Sequence, residues 1–504
     1  MTYYLQQVVP SLIAVVIGWV LLWPMRHRLG AVDYHTAALP VGLLVFGSAS
    51  GVATLASRPL DGWIVAASAA ILGVVTWGSS ALSSRRQTPG AVSETPQHVG
   101  VSGFVAMLAS ISVVGRLAAA TALTVATNDA FVEFWPMSIA LSRGDGLWLE
   151  AMSERGAVIP GAGAVHIMLG ADWVYALYPL MAMSTLAILG FEIARGSNLL
   201  PRRARLGVWA VAAAAVAYLG TESSFVFHSI FVHANLVSGL FLLLAVVALA
   251  RCRERIDGGE SPTAHLVLAG LAAAGLALAR PDGLAYALVP VIGLTAILTR
   301  AQLRHADVAA FYAALLVPVA AVYGAVFERY GMWRATKLSG TVAFAMVSVL
   351  VVSAVAPYLV AAVDRRVGGR VRGDRVFAVA FTAMGLVLAL VAALKTESVV
   401  MSLTNSWINL FGGGGGYGAT WWWLAGLTIV SIFTGDAIKH DGTARFVLGA
   451  LMSFLVMAIV IHGVSHPGRV NALDSFTRLA FQALPLAVFY VALVVRRIVV
   501  ARLR

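Results

Sequence analysis

One cysteine, Cys252, stands in 504 residues, so no intramolecular disulfide can staple the fold. No Cys/His pattern with zinc spacing occurs either, and packing must organise the chain. Charge is scarce. Only 12% of residues are charged while 60% are apolar, and the mean hydropathy is +0.86; soluble domains carry ~25% charge and ~45–50% apolar residues. That excludes a water-soluble chain and predicts an all-α, polytopic integral membrane protein. There is no GxxxxGK[ST] segment, and the Gly412–Gly416 run has no Lys-Ser/Thr behind it. A phosphate-cradling P-loop is excluded, which argues against an ATP-driven transporter. The N-terminal apolar run lacks a small-residue cleavage pattern and reads as a retained helix rather than a signal peptide.

What is present is apolar runs and arginine. A net charge of +12 would in a soluble protein suggest nucleic acid. Here most Lys and Arg sit in short gaps between apolar runs, so they read as topology determinants and no nucleic-acid partner is expected. A spanning helix needs about 20 mostly apolar residues, and about fifteen transmembrane runs of this kind occur. They lie near 8–24, 37–56, 62–83, 101–127, 173–193, 206–221, 232–250, 263–279, 285–299, 308–327, 342–363, 376–394, 420–435, 446–462 and 479–495. With the N-terminus outside, the cytoplasmic gaps collect 24 of the 35 Lys and Arg, among them Arg202/Arg203/Arg205, Arg251/Arg253/Arg255 and Arg365/Arg366/Arg370/Arg372/Arg375. Only 10 fall in the outer gaps and one, Arg116, inside a run. The positive-inside rule therefore predicts an outside N-terminus and a cytoplasmic C-terminus.

The outer gaps hold carboxylates, histidines, aromatics and isolated cations. The longest, residues 128–172, opens with Asn128-Asp129 and mixes Phe131, Phe134, Trp135 and Trp148 with Glu133, Arg143, Asp145 and Glu150. Too polar to span and too apolar for a free loop, it predicts one or two helices in the membrane interface, broken near Gly144-Asp145-Gly146. The GAVIPGAGAVHIMLG stretch that follows is too short to span and is consistent with a re-entrant element. Further outer gaps bring Glu222, His228, His233 and Asn235; Arg280-Pro281-Asp282; Arg329, Arg334 and Lys337; the glycine run with Trp407, Tyr417, Trp421, Trp422 and Trp423; and SHPGRVNALDSFTR with His466, Arg469, Asp474 and Arg478.

An acidic residue opening the first large outer loop, interfacial helices behind it and polar outer loops on a many-helix bundle resemble one architecture. It is the GT-C superfamily of polyprenyl-phosphate-sugar-dependent membrane glycosyltransferases. Also similar are the Arg-Pro-Asp-Gly turn at Arg280–Gly283 and the closing outer segment with Arg469 and Arg478. The resemblance covers residues 101–504 through very short motifs, and in the simplest members the acidic loop follows the first helix, whereas here it follows the fourth. It implies residues 1–100 as N-terminal accessory transmembrane helices and residues 101–504 as a GT-C-like catalytic domain with the outside loop 128–172. The Ala/Val/Gly/Arg-rich composition fits an actinobacterial cell-envelope arabinosyl- or mannosyltransferase of the cytoplasmic membrane.

By that resemblance Asp129 is the catalytic base, with a charged interface residue that stops a helix as the plainer account. Glu133, one turn on, shares the acceptor or a metal, or else marks a solvated face. Sugar transfer from a lipid phosphate needs a base, cations for the departing phosphate, and a pocket that places both substrates. The candidate cations are Arg280, Arg329, Arg334, Lys337, Arg469 and Arg478, each with snorkelling or an ion pair as its bland reading. Asp282, Glu222, His228, His233 and His466 complete the candidate substrate-binding set. A divalent cation on Glu222, His228 and His233 is the one cofactor left open, although their spacing matches no ligand pattern and polar packing or sugar hydrogen bonding is simpler. Arg116 needs a partner within the bundle, and Glu192 is the carboxylate to look for. The tryptophans read as an interfacial belt or as sugar-stacking platforms, and the glycines as a loop that closes over substrate or a plain connector. The expected partners are a polyprenyl-phosphate sugar donor, a cell-envelope glycan or lipid acceptor, and membrane lipids.

Three other functions compete. A lipid or polysaccharide transporter or flippase should show internal repeats and broken helices, and no clear repeat is found. An O-antigen-type polymerase or ligase places its largest outer loop late in the chain. A membrane-bound acyltransferase needs a buried His supported by Asn or Asp, which His228 and His233 keep open.

Overall fold

In the computed structural model the described residues are 2–84, 116, 134–144, 156–171, 174, 176–230, 233–280, 282–298, 305–330, 355, 366, 386, 389–390, 393–433, 442–465 and 475–503. Every regular element among them is helical. In chain order they are α1 (Thr2–Leu22), α2 (Arg26–Leu55), α3 (Gly62–Ser84), α4 (Trp135–Arg143), α5 (Val158–Met168), α6 (Leu177–Ala194), α7 (Arg202–Thr221), α8 (Ser223–His228) and α9 (Ala234–Asp257). There follow α10 (Thr263–Ala279), α11 (Gly283–Tyr286), α12 (Leu288–Leu298), α13 (His305–Tyr330), α14 (Thr396–Leu410), α15 (Thr420–Phe433), α16 (Gly442–Ser465) and α17 (Ser475–Leu503). Nine helices among the described residues are long and apolar enough to cross a membrane, which makes the chain a polytopic membrane protein by length and composition. The apolar runs near 101–127, 342–363 and 376–394 fall largely outside the described residues.

Gly30 reverses the chain early, with φ 80° and ψ 160° inside what is otherwise one long helical segment. The basic sequence RHRLG supplies this turn. Beyond it α2 packs back along α1, with Gly18 facing Ala38 and Gly42 facing Ala14; the two position numbers sum to the same value in both pairs, the mark of an antiparallel register. A Cβ on either glycine would lie 1.8 Å from the facing carbonyl oxygen. Small residues at such crossings let helices gain dispersion contacts where lipid provides no hydrophobic drive. The apolar segment Val8–Thr36 runs through the reversal, so the part of it that can cross a membrane ends ahead of Gly30.

At the centre of the bundle lie α9 and α10. Every residue of α10 is buried, and it packs against α9, α13 and α2, while α9 also meets α17 and α6. A helix apolar on all sides is one surrounded by protein or lipid; for α10, rich in Ala and Gly, the neighbours come close enough that Gly275 contacts the Phe241 ring. The buried apolar cluster is continuous from α1 to α17. The break predicted near Gly144-Asp145-Gly146 is present as the left-handed Gly144 that ends α4 (φ 78°). GAVIPGAGAVHIMLG forms the short buried helix α5 against α4 and α2.

Helices alternate in direction, so charged residues gather at one end. There Arg195 pairs with Asp33 and with Glu192 at 2.7 Å, Arg251 pairs with Glu192 and Glu254, and His265 Nε2 lies 3.2 Å from Asp33 Oδ2. Asp33, Glu192 and His265 are buried. Because each charge meets an opposite one, four helices, α2, α6, α9 and α10, are tied together without an uncompensated ion. We call this the arginine end, and the opposite one the glycine-loop end.

Candidate functional site

The glycine-loop end is built where α7 passes through α8 into α9. Glu222 adopts extended backbone after α7 and its Oε2 accepts the Phe225 N–H at 2.7 Å, capping α8. Burial pushes its carboxyl pKa up, and the backbone N–H bonds it accepts oppose that shift. Ser223 Oγ donates to the Gly416 carbonyl at 2.9 Å, drawing the glycine loop onto this corner. His233 begins α9 in extended conformation, its carbonyl accepting the Tyr178 hydroxyl at 3.1 Å.

The His228 and His233 rings meet edge to face with centroids 5.3 Å apart, and the Phe481 ring lies 4.1 Å from His228. Burial, then the neighbouring His233 and Arg478, drive the His228 pKa well below its ordinary value, so the imidazole is neutral. Among the described residues its Nδ1 has no hydrogen-bond partner. Arg280, at the end of α10, donates from Nε to Asp282 Oδ1 at 2.8 Å and from Nη1 to Asn235 Oδ1 at 2.8 Å. Gln482 on α17 reaches the same Asn235 oxygen through Nε2 at 3.5 Å.

Of the candidate residues, the structure therefore brings Glu222, His228, His233, Arg280, Asp282 and Arg478 to one end of the bundle. Asp129, Glu133, Arg334, Lys337, His466 and Arg469 lie outside the described residues, as does Asp474. Asn235 was visible beside His233 in the sequence; Gln482 and Tyr178 were not singled out, though a Gln two turns into an apolar run is a signal in itself.

Several expectations are revised. Arg116 does not pair with Glu192: its Nε donates to Ser229 Oγ at 2.7 Å and its Nη2 to the Gly220 carbonyl, beside the Phe225 ring. The two residues sit at opposite ends, and Glu192, in the last turn of α6, is already held by Arg195 and Arg251. Glycines 413, 416 and 418 have positive φ, and a Cβ at Gly415 would lie 2.3 Å from the Asn409 carbonyl oxygen. Turn geometry and close approach account for the run, and the loop is docked through Tyr417, whose hydroxyl donates to the Thr477 carbonyl at 2.5 Å. Trp407, Phe411 and Trp422 form one aromatic group, with Trp407, Trp422 and Trp423 exposed. Trp421 instead packs inward on Tyr417. Among the described residues no three His, Cys, Asp or Glu side chains converge as a metal site, and the Glu222 carboxylate is turned to the α8 N-terminus.

Chemically, this end offers fixed guanidinium groups, the neutral His228 imidazole with the His233 ring beside it, and buried amides, and the Glu222 and Asp282 carboxylates are engaged by backbone N–H groups or by Arg280. Such a set suits binding of an anionic head group and of hydroxyls. Comparisons with family models, with curated proteins and with solved structures found no match.

Proposed function

We propose that the chain is an integral membrane glycosyltransferase, transferring a sugar from a polyprenyl-phosphate donor to a cell-envelope glycan or lipid at the glycine-loop end. In this reading that end faces outward, as the arginine count favours. The observation that carries it is the concentration of Arg280, Arg478, His228, His233 and Glu222 at one end of the bundle, opposite the closed ion-pair network, at the depth of the helix termini. A lipid-linked phosphate arrives sideways through the bilayer with its head group at that depth. A guanidinium there is partly desolvated and worth more to a phosphate than in water.

Arg280 is held in direction by Asp282 and Asn235, which suits a group that must meet charge developing on a leaving phosphate without reorganising. Arg478, in the first turn of α17, is close enough to His228 to act on it electrostatically. Asp129 supplies the base in this scheme, taking the acceptor hydroxyl proton as the sugar carbon is attacked. The test is incubation of the purified protein with radiolabelled polyprenyl-phosphate sugars and a cell-envelope extract as acceptor. Label should pass from at least one donor into glycan or glycolipid; failure of every donor overturns the reading.

A further inference from the structure

We infer that Gln482 is a sugar-reading residue: its side-chain carbonyl accepts a hydrogen bond from a hydroxyl of a sugar bound at the glycine-loop end. The inference rests on the proposed function for the class of ligand and on geometry for the contact. Gln482 is fully buried, seven residues into α17, or about 10 Å along the helix. A methionine would fill the same space without a polar group to satisfy, and a buried unpaired amide oxygen is costly. The residue is therefore out of place as packing.

Its orientation follows from its neighbours. A guanidinium only donates, so Asn235 turns its Oδ1 toward Arg280, which Asp282 holds in place. Gln482 Nε2 faces that same oxygen; flipping the amide would set two carbonyl oxygens against each other. The chain Asp282, Arg280, Asn235, Gln482 thus aims Gln482 Oε1 away from Asn235, and there Oε1 has no partner among the described residues. On the adjoining residue of α17, the Phe481 ring contacts His228, whose Nδ1 is also unpaired and buried.

The chemistry selects the ligand. An amide oxygen repels phosphate and carboxylate oxygens and needs a hydrogen-bond donor. A cationic donor is disfavoured by Arg280 and Arg478 close by, which leaves a neutral one, and a hydroxyl fits. A site that hydrogen-bonds a hydroxyl discriminates strongly against an analogue lacking it, because the buried acceptor is then left unpaired.

The test uses the full chain in nanodiscs with methyl glycosides of arabinofuranose, mannopyranose and glucopyranose, read by saturation-transfer NMR and thermal melting. At least one glycoside should bind wild type, and Gln482→Met should weaken it tenfold or more while the melting temperature stays level or rises. Gln482→Asn, which withdraws the acceptor by one methylene, carries the same comparison should Gln482→Met not fold. Equal binding in wild type and variant overturns the inference, as does a fall in melting temperature with binding intact, or no glycoside binding at all. Gln482-dependent binding without turnover of any polyprenyl donor upholds the inference and overturns the transferase reading; turnover insensitive to Gln482 does the reverse.

Discussion

The two ends of the bundle bury polar groups in different ways. At the arginine end, Asp33, Glu192, Arg195 and Arg251 neutralise one another across three helices, and His265 joins a fourth through Asp33. Two atoms lack a partner there among the described residues, Arg251 Nε and His265 Nδ1, but Arg251 is otherwise ion-paired with Glu192 and His265 is hydrogen-bonded to Asp33 through Nε2. At the glycine-loop end the buried groups include the neutral His228 imidazole and the Asn235 and Gln482 amides, and the open valences of His228 and Gln482 have no such compensation among the described residues. Closed charge networks tie a fold together; open neutral valences are where the proposed ligand would bind. Under the proposed function, the contrast separates residues kept for architecture from residues kept for chemistry.

The strongest way to break the contrast is at the arginine end. Arg251→Ala leaves the Glu192 carboxylate buried with one partner fewer, and loss of one member of such a pair costs about 3–5 kcal/mol. Melting temperature and folded yield should fall sharply, while the protein that does fold keeps its affinity for substrate. Asp129→Asn should do the opposite, lowering transfer by about 10²-fold or more, as loss of a general base does, with melting unchanged. Retention of a tenth of wild-type turnover would remove Asp129 from the role of base.

A smaller effect is expected from Arg478→Ala: about tenfold weaker donor binding in a titration, partly restored by Arg478→Lys because an ammonium cannot reproduce a forked contact. Should Arg478→Ala instead lower the melting temperature as far as Arg251→Ala, the two ends are alike and the contrast fails. The smallest effect is in pH dependence. His228 has a folded pKa depressed below its ordinary 6.5, so the stability linked to it is complete above pH 6.5 and is lost as pH falls from there toward the folded value. His228→Gln should flatten the decline in melting temperature between pH 7 and pH 5; a decline of unchanged slope assigns that loss to other groups.

Much of the bundle was legible because an apolar run about 20 residues long has few options besides a helix. The hairpin at Gly30 was legible as a basic gap between two runs, and the break at Gly144 as a glycine pair around an aspartate. What the sequence withheld was pairing. Glu192 looked like a partner for Arg116 because both are charges in apolar surroundings, yet direction along the bundle sets them at opposite ends. Arg195, one turn beyond Glu192 at i+3, was the local signal for the true pair. Glu222, His228, His233 and Arg280 stood out as polar residues in outer gaps. Gln482 did not, since its meaning depends on Asn235, 247 positions away in sequence.

The shortness of α10 has a consequence for access. Its 17 residues span about 26 Å at 1.5 Å per residue, less than the ~30 Å hydrocarbon thickness of a typical bilayer. Enclosed on all sides, it has no lipid neighbours whose length it must match, and its two termini, carrying His265 and Arg280, are free to lie below the planes of the lipid head groups. In a bilayer of that thickness there is room for both polar ends to be recessed. A substrate dissolved in water would have to climb down into such a recess, whereas one tethered to a long isoprenoid chain is already at that level and needs only to diffuse laterally.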